Sequence, residues 1–391
     1  MKKKAFITGK AMICSLGDSL EGIVDAVRYK RIKLEHIPFN IANLPYTRPF
    51  YLINRDENDS LDNRSAEYFY EILFSTVSRA FLDAGLKPEE IADMHVFFGS
   101  TSMDVPVFEG NLGKSSATVS SMFLHSSSGY GKVAGAIAER FGIKGNCYSF
   151  ATACTSSANA FLYAAAMISE GYIERAIVIG YELFNNLVFY GFEALKSIAV
   201  SEYRPFDRMR DGMILGEACG AVVMEGVRRM RGDFMHLGGA NLCDTYSVTS
   251  HEEEGSVVAE TMNRALEQAG VRPGDVCAVK AHATGTESND KTESAAMRMI
   301  FGCHIPPVTC VKPFIGHTVG ACGVNELILF TESIKAGFIP PTPGFREVDE
   351  NLNLIPLTEN METGEGIFML NYFGFGGNCT TLILSNKGGE K

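Results

Sequence analysis

The chain of 391 residues contains no apolar run approaching the roughly 18 residues that a membrane-spanning helix needs. We therefore expect no insertion into a membrane. An excess of positive charge is also missing, since 46 acidic residues against 35 basic residues give a net charge of -11. Because contacts with nucleic-acid phosphates need a basic face, this balance argues against a general nucleic-acid-binding protein.

The ten cysteines include no CxxC pair, the spacing that is typical of zinc sites and redox dithiols. No metal site is therefore predicted. An export signal is missing as well: the initial MKKK resembles the charged start of a signal peptide, but Thr8, Gly9 and Lys10 interrupt the apolar run that follows. We expect a cytoplasmic protein in which most cysteines pack as small apolar side chains.

The composition is that of a folded α/β protein, with 46% hydrophobic and 21% charged residues and no low-complexity tract. Short β-rich segments alternate with helix-length patterns, the order that parallel sheets with crossover helices produce. Strands are predicted at 4–9, 95–99, 147–151, 175–180 and 220–226, and helices at 65–84, 131–140, 155–169 and 185–197.

The same order starts again after the charged turn GVRRMRGD. Strands are predicted at 235–243, 277–281, 308–311, 367–371 and 380–385, and helices at 256–269, 290–301 and 321–336. The chain is also longer than one compact core usually is. The repetition therefore predicts two similar halves, residues 1–230 and residues 231–391.

Cys154 lies in the stretch SFATACTSSANAFLYAAAM, where a short apolar strand leads into an apolar helix. Unpaired N–H groups and the positive end of the helix dipole at such a junction favour the thiolate over the thiol. Small side chains follow on nearly every face, which predicts a buried helix that holds the thiol rigidly. This position alone fits a nucleophile and a core cysteine equally well.

A nucleophilic cysteine needs a base or hydrogen-bond donors nearby, and histidine is the usual source of both. His282 in KAHATGTESNDKTES and His317 in CVKPFIGHTVGACG follow predicted strands, in turns where α/β folds place their sites. The last such turn, NYFGFGGNCT, has glycines that let a backbone N–H approach a ligand closely. The histidines without a supporting pattern are His36, His95, His125, His236, His251 and His304.

Together, these motifs resemble the β-ketoacyl-[acyl carrier protein] synthase family in order and spacing, and the resemblance covers nearly the whole chain. It includes Lys312, five residues before His317, and the segment YRPFDRMRDGMILGE at 203–217. The resemblance implies an α/β fold in which a duplicated thiolase-type unit forms five layers, α-β-α-β-α. The half at 1–230 would carry the nucleophilic cysteine, and the half at 231–391 would carry both histidines.

The resemblance also implies the reaction, a condensation in two stages. The Cys154 thiolate accepts an acyl chain from a carrier protein, with the backbone N–H groups of Cys154 and Phe373 as the oxyanion hole. Malonyl-carrier protein then loses carbon dioxide, and His282 and His317 bind the resulting enolate as hydrogen-bond donors. No cofactor is implied other than the phosphopantetheine arm of acyl carrier protein, which is the expected partner. A homodimer, or a heterodimer with a ketosynthase-like paralogue, is implied as well.

Further residues take roles by the same resemblance. Lys312 would organise the site together with Glu293, and Asp290 would assist, so that both acidic residues would contact the substrate. Thr284 and Thr286 would bond the pantetheine arm, which needs neutral donors and acceptors along a narrow tunnel. Met213 stands where the family commonly has an aromatic residue, and it would soften the pocket near the thiol.

The sequence departs from the family pattern at Ala283, which replaces the first glycine of the motif His-Gly-Thr-Gly-Thr. Two other functions share the fold. A thiolase would act on coenzyme A thioesters and use a second cysteine near the C-terminus, where Cys379 reads instead as core. A chain-length-factor subunit would lack the nucleophile. The acyl chain stays open, as does the pathway: fatty-acid, aryl-polyene or polyketide synthesis.

Overall fold

The computed structural model describes residues 3–41, 44–53, 65–112, 129 and 131–388. Its strands are β1 (Ala5–Cys14), β2 (Glu35–Ile41), β3 (Leu44–Phe50), β4 (His95–Gly99), β5 (Cys147–Phe150), β6 (Arg175–Glu182), β7 (Ala218–Glu225), β8 (Met235–Cys243), β9 (Ala278–Lys280), β10 (Val308–Thr309), β11 (Phe338–Ile339), β12 (Met361–Glu362), β13 (Ile367–Gly374) and β14 (Asn378–Ser385). Its α-helices are α1 (Leu20–Arg28), α2 (Ala66–Asp83), α3 (Pro88–Ala92), α4 (Val105–Leu112), α5 (Lys132–Phe141), α6 (Ser156–Ser169), α7 (Asn186–Ala194), α8 (Ser256–Ala269), α9 (Glu287–Phe301), α10 (Lys312–Ile315) and α11 (Cys322–Lys335).

Strand order repeats between the two parts of the sheet. The order is β5-β4-β6-β7-β1 in one part and β10-β9-β13-β14-β8 in the other. Numbered within its own part, each set runs third, second, fourth, fifth, first, with the same parallel and antiparallel pairings. A short antiparallel contact between β1 and β8 joins the two parts. The duplicated α/β fold expected from the sequence is confirmed.

Alternation along the strands produces the layers. In β4, Val96 and Phe98 join the apolar cluster formed with α2 and α5, whereas Phe97 joins the central cluster. In β13, Phe368 and Leu370 face the central cluster, whereas Met369 faces the cluster formed with α8 and α9. Because side chains alternate between the faces of a strand, both parts of the sheet pack apolar side chains on two sides. Helices α6 and α11 fill the space between them.

The central helices approach each other very closely. A side-chain carbon added at Gly323 of α11 would lie 2.1 Å from the backbone nitrogen of Ala158 in α6. The small residues that follow Cys154 in the sequence are what this contact requires. Since α6 begins just after Cys154 and α11 just after the His317 loop, their crossing brings the two residues together.

Several elements were not predicted from the sequence. The hairpin of β2 and β3 contains Pro38, Pro45 and Pro49, which mask its strand pattern. Helices α1 and α4 are also additional.

Among the described residues, no helix is both long enough and apolar enough to cross a bilayer. The domain boundary at residue 230 falls between β7 and β8, and it remains our proposal.

Replacing Gly323 with alanine should destabilise the protein strongly, because the new methyl group would overlap the α6 backbone. We expect a loss of about 3 kcal/mol or more in the free energy of unfolding. Gly135 in α5 is the matched control, because nothing lies within 4 Å of an added carbon there. Gly135→Ala should stabilise by about 0.5–1 kcal/mol. Denaturant unfolding measures both, and similar stabilities for the two variants would contradict the proposed helix contact.

Candidate active site

Cys154 lies in a one-turn 3-10 helix, Ala153–Thr155, between β5 and α6. Ala153 adopts a left-handed backbone with φ of 51°, an unfavourable conformation for a residue with a side chain. The sharp turn places the sulfur at the junction of the two halves of the protein, where only 5% of the residue is exposed.

The thiol contacts groups from the other half. His317 Nε2 lies 3.2 Å from Cys154 Sγ. The backbone N–H of Phe375 acts on the same sulfur by lowering the pKa of the thiol. Behind it, Cys322 Sγ lies 3.0 Å from the backbone oxygen of Cys154 and donates to it. The nucleophile and its neighbours are therefore held from three different loops.

Burial decides the protonation state of this thiol. It raises the pKa of Cys154 to about 12, and the Lys312 charge and the Phe375 N–H only partly oppose that effect. The helix dipole led us to expect a thiolate. The structure differs, because the loss of hydration outweighs the dipole. Cys154 rests as a thiol, with His317 Nε2 placed to accept its proton.

His282 is oriented by Lys312. The Lys312 Nζ lies 3.2 Å from His282 Nδ1 and also donates to the backbone oxygen of His282. Because an ammonium group is only a donor, Nδ1 must accept, and the ring proton must be on Nε2. Burial, followed by the Lys312 charge, places the pKa of His282 well below its ordinary range. The ring is therefore a neutral donor, with its centroid 5.5 Å from that of His317.

A buried ion cluster supports this arrangement. Glu326 forms an ion pair with Lys312 at 2.7 Å and accepts a hydrogen bond from Lys280 at 2.6 Å, and all three side chains are fully buried. Lys280 also donates to the backbone oxygen of Asn371 at 2.8 Å. The expected pairing of Lys312 with Glu293 is wrong: the partner is Glu326. The carboxylate of Glu326 lies near His317 and Cys322, but two ammonium groups already neutralise it and would repel a metal ion.

Glu293 and Asp290 lie behind the cavity rather than in its wall, contrary to their expected contact with substrate. Glu293 accepts from the backbone N–H groups of His282 and Ala283, each at 2.8 Å. Asp290 accepts from the backbone N–H of Phe206 at 2.7 Å. Since α9 carries both carboxyl groups, the helix fixes the histidine turn through its backbone.

Two cavities meet at Cys154. The first has a volume of about 180 Å³ and is partly polar. The second has a volume of about 360 Å³ and is largely apolar. The first is lined by Met213, Thr284, Thr286, Phe373 and both site histidines, among others. The hydroxyl oxygens of Thr284 and Thr286 lie 2.9 Å apart, so these two threonines form one polar patch in its wall.

Phe375, rather than Phe373, has the position expected of the aromatic residue in the glycine turn. Phe373 is inside β13, and its ring packs against His282 with centroids 5.6 Å apart. Phe375 follows the strand and lines both cavities, and its backbone N–H acts to lower the pKa of the Cys154 thiol. Gly376 and Gly377, with φ of 75° and 78°, supply the turn that follows. The sequence did not distinguish the two phenylalanines, because the end of the strand lies between them.

Three functional positions were missed. Glu326 and Lys280 are charged residues inside apolar segments, a signal that indicates a buried pair. No sequence pattern supports a role for His251, yet it lines the first cavity. It lies in the long connection between β8 and α8, where no periodic pattern could indicate its orientation.

The fold and the site define a thiolase-type α/β protein with a cysteine and two histidines between its halves. Residues 53–229 match the family described as Beta-ketoacyl synthase, N-terminal domain. Residues 237–346 match its C-terminal domain. The chain belongs to the beta-ketoacyl synthase family of acyl-transferring condensing enzymes, as its motifs indicated.

Relatives come from more than one kind of pathway. The 3-oxoacyl-[acyl-carrier-protein] synthase 2 of Coxiella burnetii is 27% identical over 410 residues, which cover 98% of this chain and 99% of that protein. The tetracenomycin polyketide synthase ketoacyl synthase alpha subunit of Streptomyces glaucescens is 29% identical over 265 residues, 64% of this chain and 62% of that protein. The solved structure entitled "The ishigamide ketosynthase/chain length factor" has a TM-score of 0.87 at 26% identity, over 99% of this chain and 100% of that chain.

Alkylation of Cys154 should depend steeply on pH, because only the thiolate reacts and burial disfavours it. With a pKa near 12, we expect the rate with iodoacetamide to rise by about tenfold per pH unit from pH 7 to pH 10, without a plateau. Peptide mass spectrometry separates Cys154 from the exposed Cys147, Cys243, Cys277 and Cys303. A rate that is already constant at pH 7 would indicate a resting thiolate and contradict this assignment.

Proposed function

We propose that the protein is a 3-oxoacyl-[acyl-carrier-protein] synthase of the type-2 kind, which extends an acyl chain by decarboxylative condensation with malonyl-carrier protein. The observation that carries this proposal is the 3.2 Å contact of Cys154 with His317, beside the neutral donor His282. The two cavities give the thiol separate access to a polar arm and an apolar chain. The reaction requires no metal, and its only prosthetic group is the carrier phosphopantetheine.

In the first stage, the Cys154 sulfur attacks the thioester carbonyl while its proton moves to His317 Nε2. The N–H groups of Cys154 and Phe375 bind the oxyanion, with Phe375 replacing Phe373 in our earlier assignment. When the tetrahedral intermediate collapses, the carbon–sulfur bond to pantetheine breaks. The leaving thiolate takes the proton back from His317, and the acyl chain remains on Cys154 in the apolar cavity.

In the second stage, malonyl-pantetheine occupies the first cavity between the threonines and the histidines. Its carboxyl carbon–carbon bond breaks, carbon dioxide leaves, and the electron pair forms an enolate. His282 Nε2–H donates to the enolate oxygen. His317 Nδ1 has no hydrogen-bond partner among the described residues, so its tautomer is free and Nε2–H supplies a second donor. The enolate carbon then attacks the acyl carbonyl, and the bond to Cys154 breaks. Cys154 leaves as a thiolate and takes up one proton from solvent to return to the thiol.

The cysteines argue against a thiolase. Cys379 is fully buried and donates to the backbone oxygen of Gly377 at 3.5 Å. Neither Cys379 nor Cys322 lines the two cavities at Cys154. The described residues therefore bring no second thiol to the substrate.

A chain-length-factor-like subunit remains the second candidate, because a similar structure has that term in its title. The intact cluster of Cys154, His282 and His317 favours catalysis, since a subunit without a reaction has no use for a positioned thiol.

For partners, we propose acyl carrier protein and a second ketosynthase-like chain, identical or paralogous. Strand β5 is one of the two edges of the described ten-stranded sheet, its residues Tyr148 and Phe150 are partly exposed, and it would join the second chain.

The two stages should separate by mutation. Cys154→Ala should abolish condensation but retain decarboxylation of malonyl-carrier protein, because both histidines remain. His282→Ala and His317→Ala should still form acyl-enzyme, more slowly in the second case, and should lose decarboxylation by on the order of 100-fold. Intact-protein mass measures acylation, and carbon dioxide release measures the second stage. Condensation at the wild-type rate in any of these variants would refute the assignment.

Phe375→Ala should slow both stages by about tenfold or more, because the ring lines both cavities and its packing holds the backbone N–H proposed to bind the oxyanion. Phe373→Leu is the comparison, because Phe373 lies within strand β13. It should change stability more than either rate. If Phe373→Leu slows the reaction and Phe375→Ala does not, the role belongs to Phe373, the residue that the family resemblance implied.

A further inference from the structure

His251 is a third histidine in the wall of the first cavity. Its Nδ1 lies 3.4 Å from Asp244 Oδ2. Asp244 is itself fixed, because it accepts from the backbone N–H groups of Tyr246 and Glu252, each at 2.9 Å. The loop between β8 and α8 therefore presents an oriented pair of side chains, which the proposed reaction does not yet use.

The contacts of His251 determine which nitrogen carries its proton. The Asp244 carboxylate can only accept hydrogen bonds, so the 3.4 Å contact favours the tautomer with the proton on Nδ1. The Cys379 sulfur, 3.6 Å from Nδ1, has its own acceptor in the backbone oxygen of Gly377. In the neutral ring, Nε2 therefore carries a lone pair. This atom has no partner in the described part of the chain and is not sealed in the core.

The lone pair restricts the ligand. A malonyl carboxylate has no proton to donate and would be repelled by it. The pantetheine arm carries amide N–H groups, which need acceptors inside a tunnel where water is excluded. His251 also packs edge-on against Phe373, which packs against His282, so it lies beside the path to the reacting groups.

We propose that Asp244 and His251 form a positioning pair, in which His251 Nε2 accepts a hydrogen bond from an amide N–H of the pantetheine arm. This inference rests on the proposed function, because it requires a pantetheine thioester as substrate. The pair offers the arm a hydrogen-bond acceptor only. The threonine hydroxyls in the same cavity can donate as well as accept. Positioning of the arm sets the thioester carbonyl against Cys154.

The test compares two acyl donors, of which only one carries the pantetheine arm with its amide N–H groups. Acyl-pantetheine carries the amide N–H groups, whereas the same acyl thioester of 2-mercaptoethanol has none. Acylation of Cys154 is followed by intact-protein mass, with KM and kcat determined for both donors. His251→Leu should lower kcat/KM for acyl-pantetheine by about tenfold, mainly through KM, and should leave the mercaptoethanol thioester within about twofold.

Three further variants sharpen the result. His251→Gln places an amide oxygen near the Nε2 position and should recover most of the loss. Asp244→Asn can donate to Nδ1, which moves the ring proton to Nε2 and should reproduce the loss. His304→Leu makes the same substitution at an exposed histidine and should match the wild type.

Equal losses with both donors in His251→Leu would show a structural role only and overturn the proposal. Failure of His251→Gln to recover activity, in a variant with wild-type thermal unfolding, would overturn it as well. If the wild-type enzyme accepts an acyl group from neither donor, the proposed function itself fails. The amide comparison and the basic activity are therefore judged separately.

Discussion

The site depends on one buried carboxylate. Glu326 holds two lysine ammonium groups in a region without exposure to solvent, and one of them sets the tautomer of His282. Burying three charges costs desolvation energy, and such clusters seldom stabilise a fold on balance. The presence of this buried charge cluster is better explained by a role in the reaction. Two positive charges against one negative charge leave a net positive charge beside the place where an enolate forms, in a medium that screens it weakly.

The geometry around that carboxylate follows from the crossing of α6 and α11. Glu326 is on α11, while Cys154 precedes α6, and Gly323 lets the two helices meet at backbone distance. A larger residue at the crossing would separate the nucleophile from His317, whose contact is only 3.2 Å. The core and the active site are therefore one structure, so stability and activity cannot be altered independently at this crossing.

Sequence patterns predicted the alternating strands and helices, the two halves, and the three residues Cys154, His282 and His317. Each of these depends on local chain properties: apolar segments, and turns directly after strands. The partner of Lys312 could not be predicted, because Glu293 and Glu326 are both acidic and their directions depend on how α9 and α11 pack. The distinction between Phe373 and Phe375 failed for a similar reason, since one residue at the end of β13 determines which ring leaves the sheet. His251 needed a loop conformation that no periodicity encodes.

Ala283 shows how the chain accommodates a departure from its family. It adopts φ of 44°, the left-handed region where glycine is favoured and alanine is strained. Two contacts hold this turn: Glu293 accepts the Ala283 N–H, and Cys310 donates to the Ala283 oxygen at 3.4 Å. The strain is therefore compensated by buried partners on both sides of the peptide. Because His282 immediately precedes Ala283, the contacts that secure the strained turn also fix the direction of the His282 ring. The Glu293 carboxyl group, although outside the cavity, is therefore necessary for the geometry inside it.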